Sequence, residues 1–195
     1  MIELKRKIVH FTGLTVPALQ VGFGRDFTIS FLVIVLIVFT LFESVRLDKK
    51  LRDDLKKGLK LYLRFEDIER VIDEMTRFHE RSRIGAHIYF VLGSLAVLWF
   101  FPDYSVGIIT VAVVSDALAS ILGRFGRVRV GRKTIEGFLS YLISGFAILT
   151  FFNFSHPFLI ALVGATVELL NVPPDDNFSC QVSMGIFAYL LSIAF

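Results

Sequence analysis

The chain has 195 residues, of which 54% are hydrophobic and 21 are Phe, and its mean hydropathy is +0.67. This composition excludes an ordinary soluble domain and predicts an all-α, multi-pass membrane protein with one domain spanning residues 1–195. The net charge of +3 does not indicate a nucleic-acid partner, because nearly all Lys and Arg residues flank apolar segments, and the single Cys180 excludes an intrachain disulfide.

Apolar segments recur along the chain, and a membrane-spanning helix needs about 20 such residues. The second segment is the most definite, because it is an unbroken apolar run from Phe27 to Phe42. The first, fifth and sixth segments are short, and the first contains Pro17, which fits a tilted or cavity-lining helix. The seven predicted spans are 8–23, 27–45, 84–101, 104–122, 137–152, 157–170 and 178–195.

The only large polar region of the sequence, residues 46–83, follows the second predicted span and carries 12 basic and 9 acidic residues. Leucines recur every four residues from Leu47 to Leu59, and a second apolar stripe runs from Ile68 to Phe78. We therefore expect two amphipathic helices on the cytoplasmic membrane surface. The functional alternative is a gate for a lipid substrate.

The distribution of basic residues predicts the orientation of the chain. Of the 21 Lys and Arg residues, 20 lie in residues 3–7, 46–83 and 124–133, and these stretches share one side if the N-terminus is cytoplasmic. Only Arg25 then lies on the opposite side, in agreement with the positive-inside rule. We expect a cell-membrane protein whose N-terminus and site are cytoplasmic and whose C-terminus is outside.

The first of three polar clusters on the predicted cytoplasmic side is Glu3-x-x-Arg6-Lys7-x-x-His10. A helix would place Arg6, Lys7 and His10 on one side, because residues three and four apart are neighbours on a helical surface. The alternative interpretation is that the basic pair only orients the chain and that His10 packs in the bundle.

The second cluster runs from Asp116 to Gly137. Asp116 lies in an apolar span, where an ionisable group is costly and usually faces a partner, an ion or a cavity. The glycines that follow expose backbone N–H groups suited to phosphate oxygens, and Lys133 adds a mobile cation. Thr134 is placed to cap the next span. The alternative is a basic loop that anchors two spans.

The third cluster combines Glu168, near the end of an apolar span, with Asp175, Asp176 and Asn177 after a Pro-Pro corner. Hard oxygen ligands of this kind suit Mg²⁺, which usually takes one or two carboxylates together with substrate phosphates. The alternative is an acidic turn that caps the last span through Asp176 or Asn177.

The polar motifs follow one another in a distinctive order. They are Glu3-x-x-Arg6-Lys7-x-x-His10, Phe42-Glu43-x-x-Arg46, Asp116-Ala117-x-Ala119 with Gly123 and Gly126, Lys133-Thr134-x-Glu136-Gly137, and Glu168 with Asp176-Asn177. This order resembles that of the CTP-dependent polyprenol kinases, which include dolichol kinase, phytol kinase and the yeast-type diacylglycerol kinase. The resemblance covers nearly the whole chain. Its middle motif is shared with the phosphatidate cytidylyltransferases, whereas the first and last motifs favour the kinases.

The resemblance implies a Mg²⁺-dependent transfer of the γ-phosphoryl group of CTP to an isoprenoid or related lipid alcohol. It implies that Asp116 and Asp176, with Asp175, hold Mg²⁺, that Lys133 holds phosphate, and that Glu168 or His10 orients or deprotonates the lipid hydroxyl. The implied nucleotide- and phosphate-binding residues are Arg6, Lys7, Gly123, Arg124, Gly126, Lys133, Thr134, Glu136 and Asn177.

Two other functions stay open at this point. One is a CTP-dependent lipid-phosphate cytidylyltransferase, which would leave cytidine on the lipid and release pyrophosphate. The other is a transporter or structural membrane protein. The distribution of polar groups disfavours this function, because they gather at one face of the membrane and do not form a path through its middle.

Overall fold

In a computed structural model, the protein is described over residues 11–48 and 84–194. This part of the chain is almost entirely helical, which confirms the predicted class. The predicted site residues Arg6, Lys7 and His10 lie outside the described residues, as does the amphipathic pair expected within 46–83 except for residues 46–48. The helices are α1 (Thr15–Phe23), α2 (Arg25–Leu47), α3 (Ala86–Phe100), α4 (Pro102–Leu122), α5 (Ile135–Phe151), α6 (Pro157–Leu170) and α7 (Asp176–Ala194).

Four shorter elements complete the described chain. Two single-turn 3₁₀ helices, Thr12–Leu14 and Gly123–Phe125, precede α1 and follow α4. Between α4 and α5, where the sequence predicts only a loop, strands β1 (Arg129–Val130) and β2 (Lys133–Thr134) form an antiparallel hairpin.

Three of the described helices are long and apolar enough to cross a membrane: α2, α4 with its 3₁₀ extension to Phe125, and α7. Helices α3, α5 and α6 are apolar but have only 15, 17 and 14 residues. At about 1.5 Å per residue, α6 is about 21 Å long, shorter than a hydrocarbon core of about 30 Å. The structure therefore supports membrane-spanning helices in general, and the count of seven stays a prediction.

Glycine and proline set several of the helix boundaries. Gly24 separates α1 from α2 with a φ of 85°, which a residue without a Cβ adopts readily. Pro102 and Pro157 begin α4 and α6, where a missing N–H removes no helical hydrogen bond. Asn171 ends α6 in the left-handed conformation, with a φ of 50°.

Helix α4 lies at the centre of the bundle and contacts α1, α3, α5 and α7. Its buried face contains small residues such as Ala112, Ala117 and Ala119, which let neighbouring backbones approach closely. Helix α2 is the opposite case, since only Thr28, Leu32 and Glu43 of its 23 residues are buried. An apolar helix with so much exposed surface fits contact with lipid.

A buried ion pair near the end of α2 also contacts the residue that precedes α3. The Arg46 guanidinium donates to both carboxylate oxygens of Glu43, at 2.5 Å and 2.9 Å, and the two side chains are only 10% and 4% exposed. Oε1 of Glu43 also accepts a hydrogen bond from the backbone N–H of Gly85 at 2.6 Å. These contacts hold residues 46 and 85, the two ends of the polar insertion, next to each other.

Candidate active site

Four charged side chains from four separate elements meet at one end of the bundle. Asp116 comes from α4, Lys133 from β2, Glu168 from α6 and Asp176 from α7. One oxygen from each of the three carboxylates lies within 4.8 Å of the other two. Nζ of Lys133 donates to Oε1 of Glu168 at 2.5 Å and to Oδ2 of Asp176 at 2.8 Å. With one lysine against three carboxylates, the group has a formal charge of −2.

Glu168 is the most buried carboxylate of this group, with 4% of its side chain exposed. Its Oε1 accepts from Lys133, whereas its Oε2 is buried and has no hydrogen-bond partner among the described residues. A buried carboxylate oxygen left unpaired is unfavourable. This oxygen is therefore available to a ligand that enters the site.

Lys133 is held in its charged form. Burial by itself would lower the pKa of its ammonium group, but the carboxylates of Asp176, Glu168 and Asp116 raise that pKa above its ordinary value. Lys133 therefore carries a positive charge at neutral pH and acts as a hydrogen-bond donor and not as a base.

A small cavity opens directly at these groups. Tyr141 in α5 forms part of the cavity wall and is completely buried, and the neighbouring Cys180 is 3% exposed. Tyr141 is not among the site residues predicted from the sequence, although a phenol hydroxyl within an apolar helix usually needs a polar partner. The sequence assigns Cys180 to apolar packing, and the residue belongs to the buried hydrophobic core, with its thiol donating to the carbonyl oxygen of Gly164 at 3.5 Å. The lining residues are Ala112, Asp116, Tyr141, Glu168, Asp176, Asn177 and Cys180.

The segment between α4 and α5 is held in place by hydrogen bonds to the side chains of Thr134, its last residue, and Glu136, in the first turn of α5. Oγ1 of Thr134 accepts from the backbone N–H of Gly137 at 3.1 Å, so the predicted cap of α5 is confirmed. The same hydroxyl donates to the carbonyl oxygen of Gly123 at 3.1 Å. Oε1 of Glu136 accepts from the backbone N–H of Arg127 at 2.7 Å. Thr134 and Glu136 thus order the loop that carries Lys133, and their direct contact with a nucleotide stays a prediction.

Gly126 packs against the side chains of Thr134 and Glu136 at the beginning of α5. A Cβ at this position would lie 2.5 Å from Oε2 of Glu136 and 2.8 Å from Oγ1 of Thr134, which leaves no space for a larger residue. Arg124, also predicted to bind phosphate, is exposed in the 3₁₀ turn and does not line the cavity.

Replacing Thr134 by Val is expected to destabilise the protein by about 1 kcal/mol, because the isosteric change removes the cap of α5 and the bond to Gly123. Unfolding in mixed detergent micelles, followed by circular dichroism, measures the loss. Thr166→Val is the control, since Thr166 is exposed and bonds only within its own helix. Equal stability of the two variants would contradict the capping role.

The beginning of α7 differs in detail from the prediction. Oδ1 of Asp175 accepts from the backbone N–H of Asn177 at 3.0 Å and from its side-chain amide at 2.9 Å. Asp175 is therefore the capping residue, in place of Asp176 or Asn177, and it lies outside the three-carboxylate group. Asp176 is the residue of this turn that bonds to Lys133.

A buried polar network fixes the first turn of α7 against α3. Gln181 is completely buried, and its side-chain amide donates to the carbonyl oxygens of Asn177 at 2.8 Å and Phe90 at 3.2 Å. Its Oε1 accepts from the hydroxyl of Ser94 at 2.9 Å. Because Asp176 and Asn177 belong to this turn, the network holds their positions at the cavity.

Comparison with known proteins adds little to the geometry. No protein-family model matches the chain, and no solved structure matches it. An uncharacterized protein of Methanocaldococcus jannaschii is 36% identical over 97 residues. The alignment covers 46% of this chain and 50% of the relative, so the chain spans about half the length of the curated relative that it matches.

Proposed function

We propose that the protein is a Mg²⁺-dependent membrane kinase that transfers the γ-phosphoryl group of CTP to an isoprenoid or related lipid alcohol. The observation that carries this proposal is the group of three carboxylates and one lysine at one end of an apolar helix bundle. The choice of CTP and of the lipid class comes from the order of the sequence motifs. The proposed location is a membrane, with this end of the bundle on the cytoplasmic side.

The donor set fits a hard divalent cation. Carboxylate oxygens are the ligands that Mg²⁺ prefers, and a formal charge of −2 is balanced by one such ion. The unpaired, buried Oε2 of Glu168 supports a ligand at this point, because its desolvation is otherwise uncompensated. Asp116 and Asp176 would hold the ion, which when bound neutralises charge on the phosphate oxygens.

The proposed reaction joins the lipid hydroxyl oxygen to the γ-phosphorus of CTP. The bond between this phosphorus and the β–γ bridging oxygen breaks, and CDP leaves. Lys133 donates hydrogen bonds to phosphate oxygens, since it stays protonated. The hydroxyl proton passes to Oε2 of Glu168, the carboxylate oxygen that has no other hydrogen bond.

The decisive assay uses purified protein in detergent with Mg²⁺, each of the four γ-labelled nucleoside triphosphates and a panel of lipid alcohols. We expect label to appear on a lipid and CDP to be released. Pyrophosphate release with cytidine retained on a lipid phosphate would overturn the kinase in favour of the cytidylyltransferase. Absence of any labelled or cytidylated lipid across the panel would reject both enzymes.

Glu168→Gln is expected to lower lipid phosphorylation by about 10²-fold or more, because the amide keeps the acceptor for Lys133 but cannot take a proton. Binding of Mn²⁺, followed by electron paramagnetic resonance, is expected to persist. Loss of Mn²⁺ binding in this variant would make Glu168 a metal ligand instead of the base. An unchanged rate would exclude both roles.

A further inference from the structure

We propose that residues 124–132, here named the arginine hairpin, bind the anionic headgroup layer of the membrane. This inference rests on the membrane location within the proposed function, and it does not depend on the transfer reaction. The hairpin consists of the end of the 3₁₀ turn, strand β1 and the turn that leads to β2.

The hairpin exposes apolar side chains that a soluble loop would bury or lack. Phe125 is 80% exposed, more than any other large apolar side chain in the described part of the protein. Val128 and Val130 are 57% and 36% exposed. With three exposed apolar side chains on so short a segment, transfer of the hairpin from water into the membrane interface is favourable.

The charge of the same segment is entirely positive. Residues 124–132 contain Arg124, Arg127, Arg129 and Arg132 and no Asp or Glu. The nearest acid in sequence, Glu136, directs its Oε1 to backbone N–H groups of Arg127 and Val128. A surface of arginine with interspersed apolar residues complements anionic lipid headgroups.

The exposed side chains are held outward by an ordered backbone. In the β1–β2 ladder Arg129 pairs with Thr134 and Val130 with Lys133, and the backbone N–H of Ile135 donates to the carbonyl of Val128 at 2.9 Å. Gly131 allows the tight turn with a φ of 59°. The hairpin therefore presents a preformed surface, which reduces the entropy lost on binding.

The position of the hairpin favours lipid as the binding partner. It directly follows α4, a candidate span that extends to Phe125, and it precedes the apolar α5. If α4 crosses the bilayer, the hairpin lies at the interface, where aromatic and arginine side chains are favoured. A nucleotide phosphate would account for the arginines but not for exposed Phe125, Val128 and Val130.

The test uses fluorescence, because Trp99 is the single tryptophan of the chain and lies at the other end of α3 and α4 from the hairpin. The double variant Trp99→Phe/Phe125→Trp places the indole in the hairpin. It is reconstituted in nanodiscs of phosphatidylcholine, with or without phosphatidylglycerol, whose acyl chains are brominated. We expect quenching of the introduced indole by brominated chains, and roughly twofold stronger quenching with the anionic lipid.

Matched variants separate the possible outcomes. Adding Arg127→Gln and Arg129→Gln to the double variant is expected to remove the dependence on anionic lipid. Quenching only by aqueous acrylamide, in both lipids, would overturn the inference, as would protection by CTP without any effect of lipid. In the unmodified protein Trp99 is 61% exposed and reports on membrane insertion independently. If brominated lipid does not quench Trp99, the protein is not inserted in the membrane, and the proposed membrane location is wrong independently of the hairpin.

Discussion

Replacement of Asp116 by Asn is expected to lower lipid phosphorylation by about 10²–10³-fold, which is typical for loss of one preorganised electrostatic group. The change replaces the carboxylate of Asp116, one of the two proposed ligands of the ion, with an amide, which is a weaker ligand for a hard divalent cation. Binding of Mn²⁺ is expected to weaken in parallel. The rate and the Mn²⁺ affinity are measured on the same preparations.

Asp103→Asn is the matched control for this experiment. Asp103 lies in the first turn of the same helix, exposed and at the opposite end from the site. The same chemical change there is expected to leave both the rate and the Mn²⁺ affinity close to those of the unmodified protein. If the two variants behave alike, the carboxylate of Asp116 has no special role, and the proposed metal site is wrong.

Glu43→Ala is expected to lower the free energy of unfolding by about 3 kcal/mol, more than Thr134→Val does. It would remove the carboxylate of Glu43 from the nearly buried guanidinium of Arg46 and would take away the acceptor of the backbone N–H of Gly85. The free energy of unfolding in mixed micelles measures the effect. Because Glu43 contacts both Arg46 and Gly85, loss of its carboxylate also removes the link between the end of α2 and the residue before α3.

Two further variants show whether the buried charge or the contact itself is responsible. The double variant Glu43→Leu/Arg46→Met replaces both charges with apolar groups and is expected to recover much of the stability. Glu43→Gln keeps an acceptor for Gly85 and is expected to lie between the extremes. If the double variant is as unstable as Glu43→Ala, the charge that remains on Arg46 after loss of Glu43 is not the cause.

The helical class and several local features were predictable because they depend on residues close in sequence. Long apolar segments predict helices such as α2 and α4 wherever they occur in a fold. Thr134 caps α5 as expected, since its bond to Gly137 spans three residues. The alternative interpretation of the third cluster placed the cap of α7 at Asp176 or Asn177, one or two residues after Asp175, because adjacent polar residues compete for that position.

The sequence by itself determined that the chain is helical and apolar, that its charges gather in a few stretches, and that Asp116, Lys133, Glu168 and Asp176 are unusual in their surroundings. Only the tertiary structure decided that Lys133 bonds to Glu168 and Asp176, which are 35 and 43 residues away, and that Tyr141 borders their cavity. Hydropathy and charge are properties of each residue and its neighbours. Contacts over such separations depend on how whole helices pack, and packing follows from the complementary shapes of buried side chains.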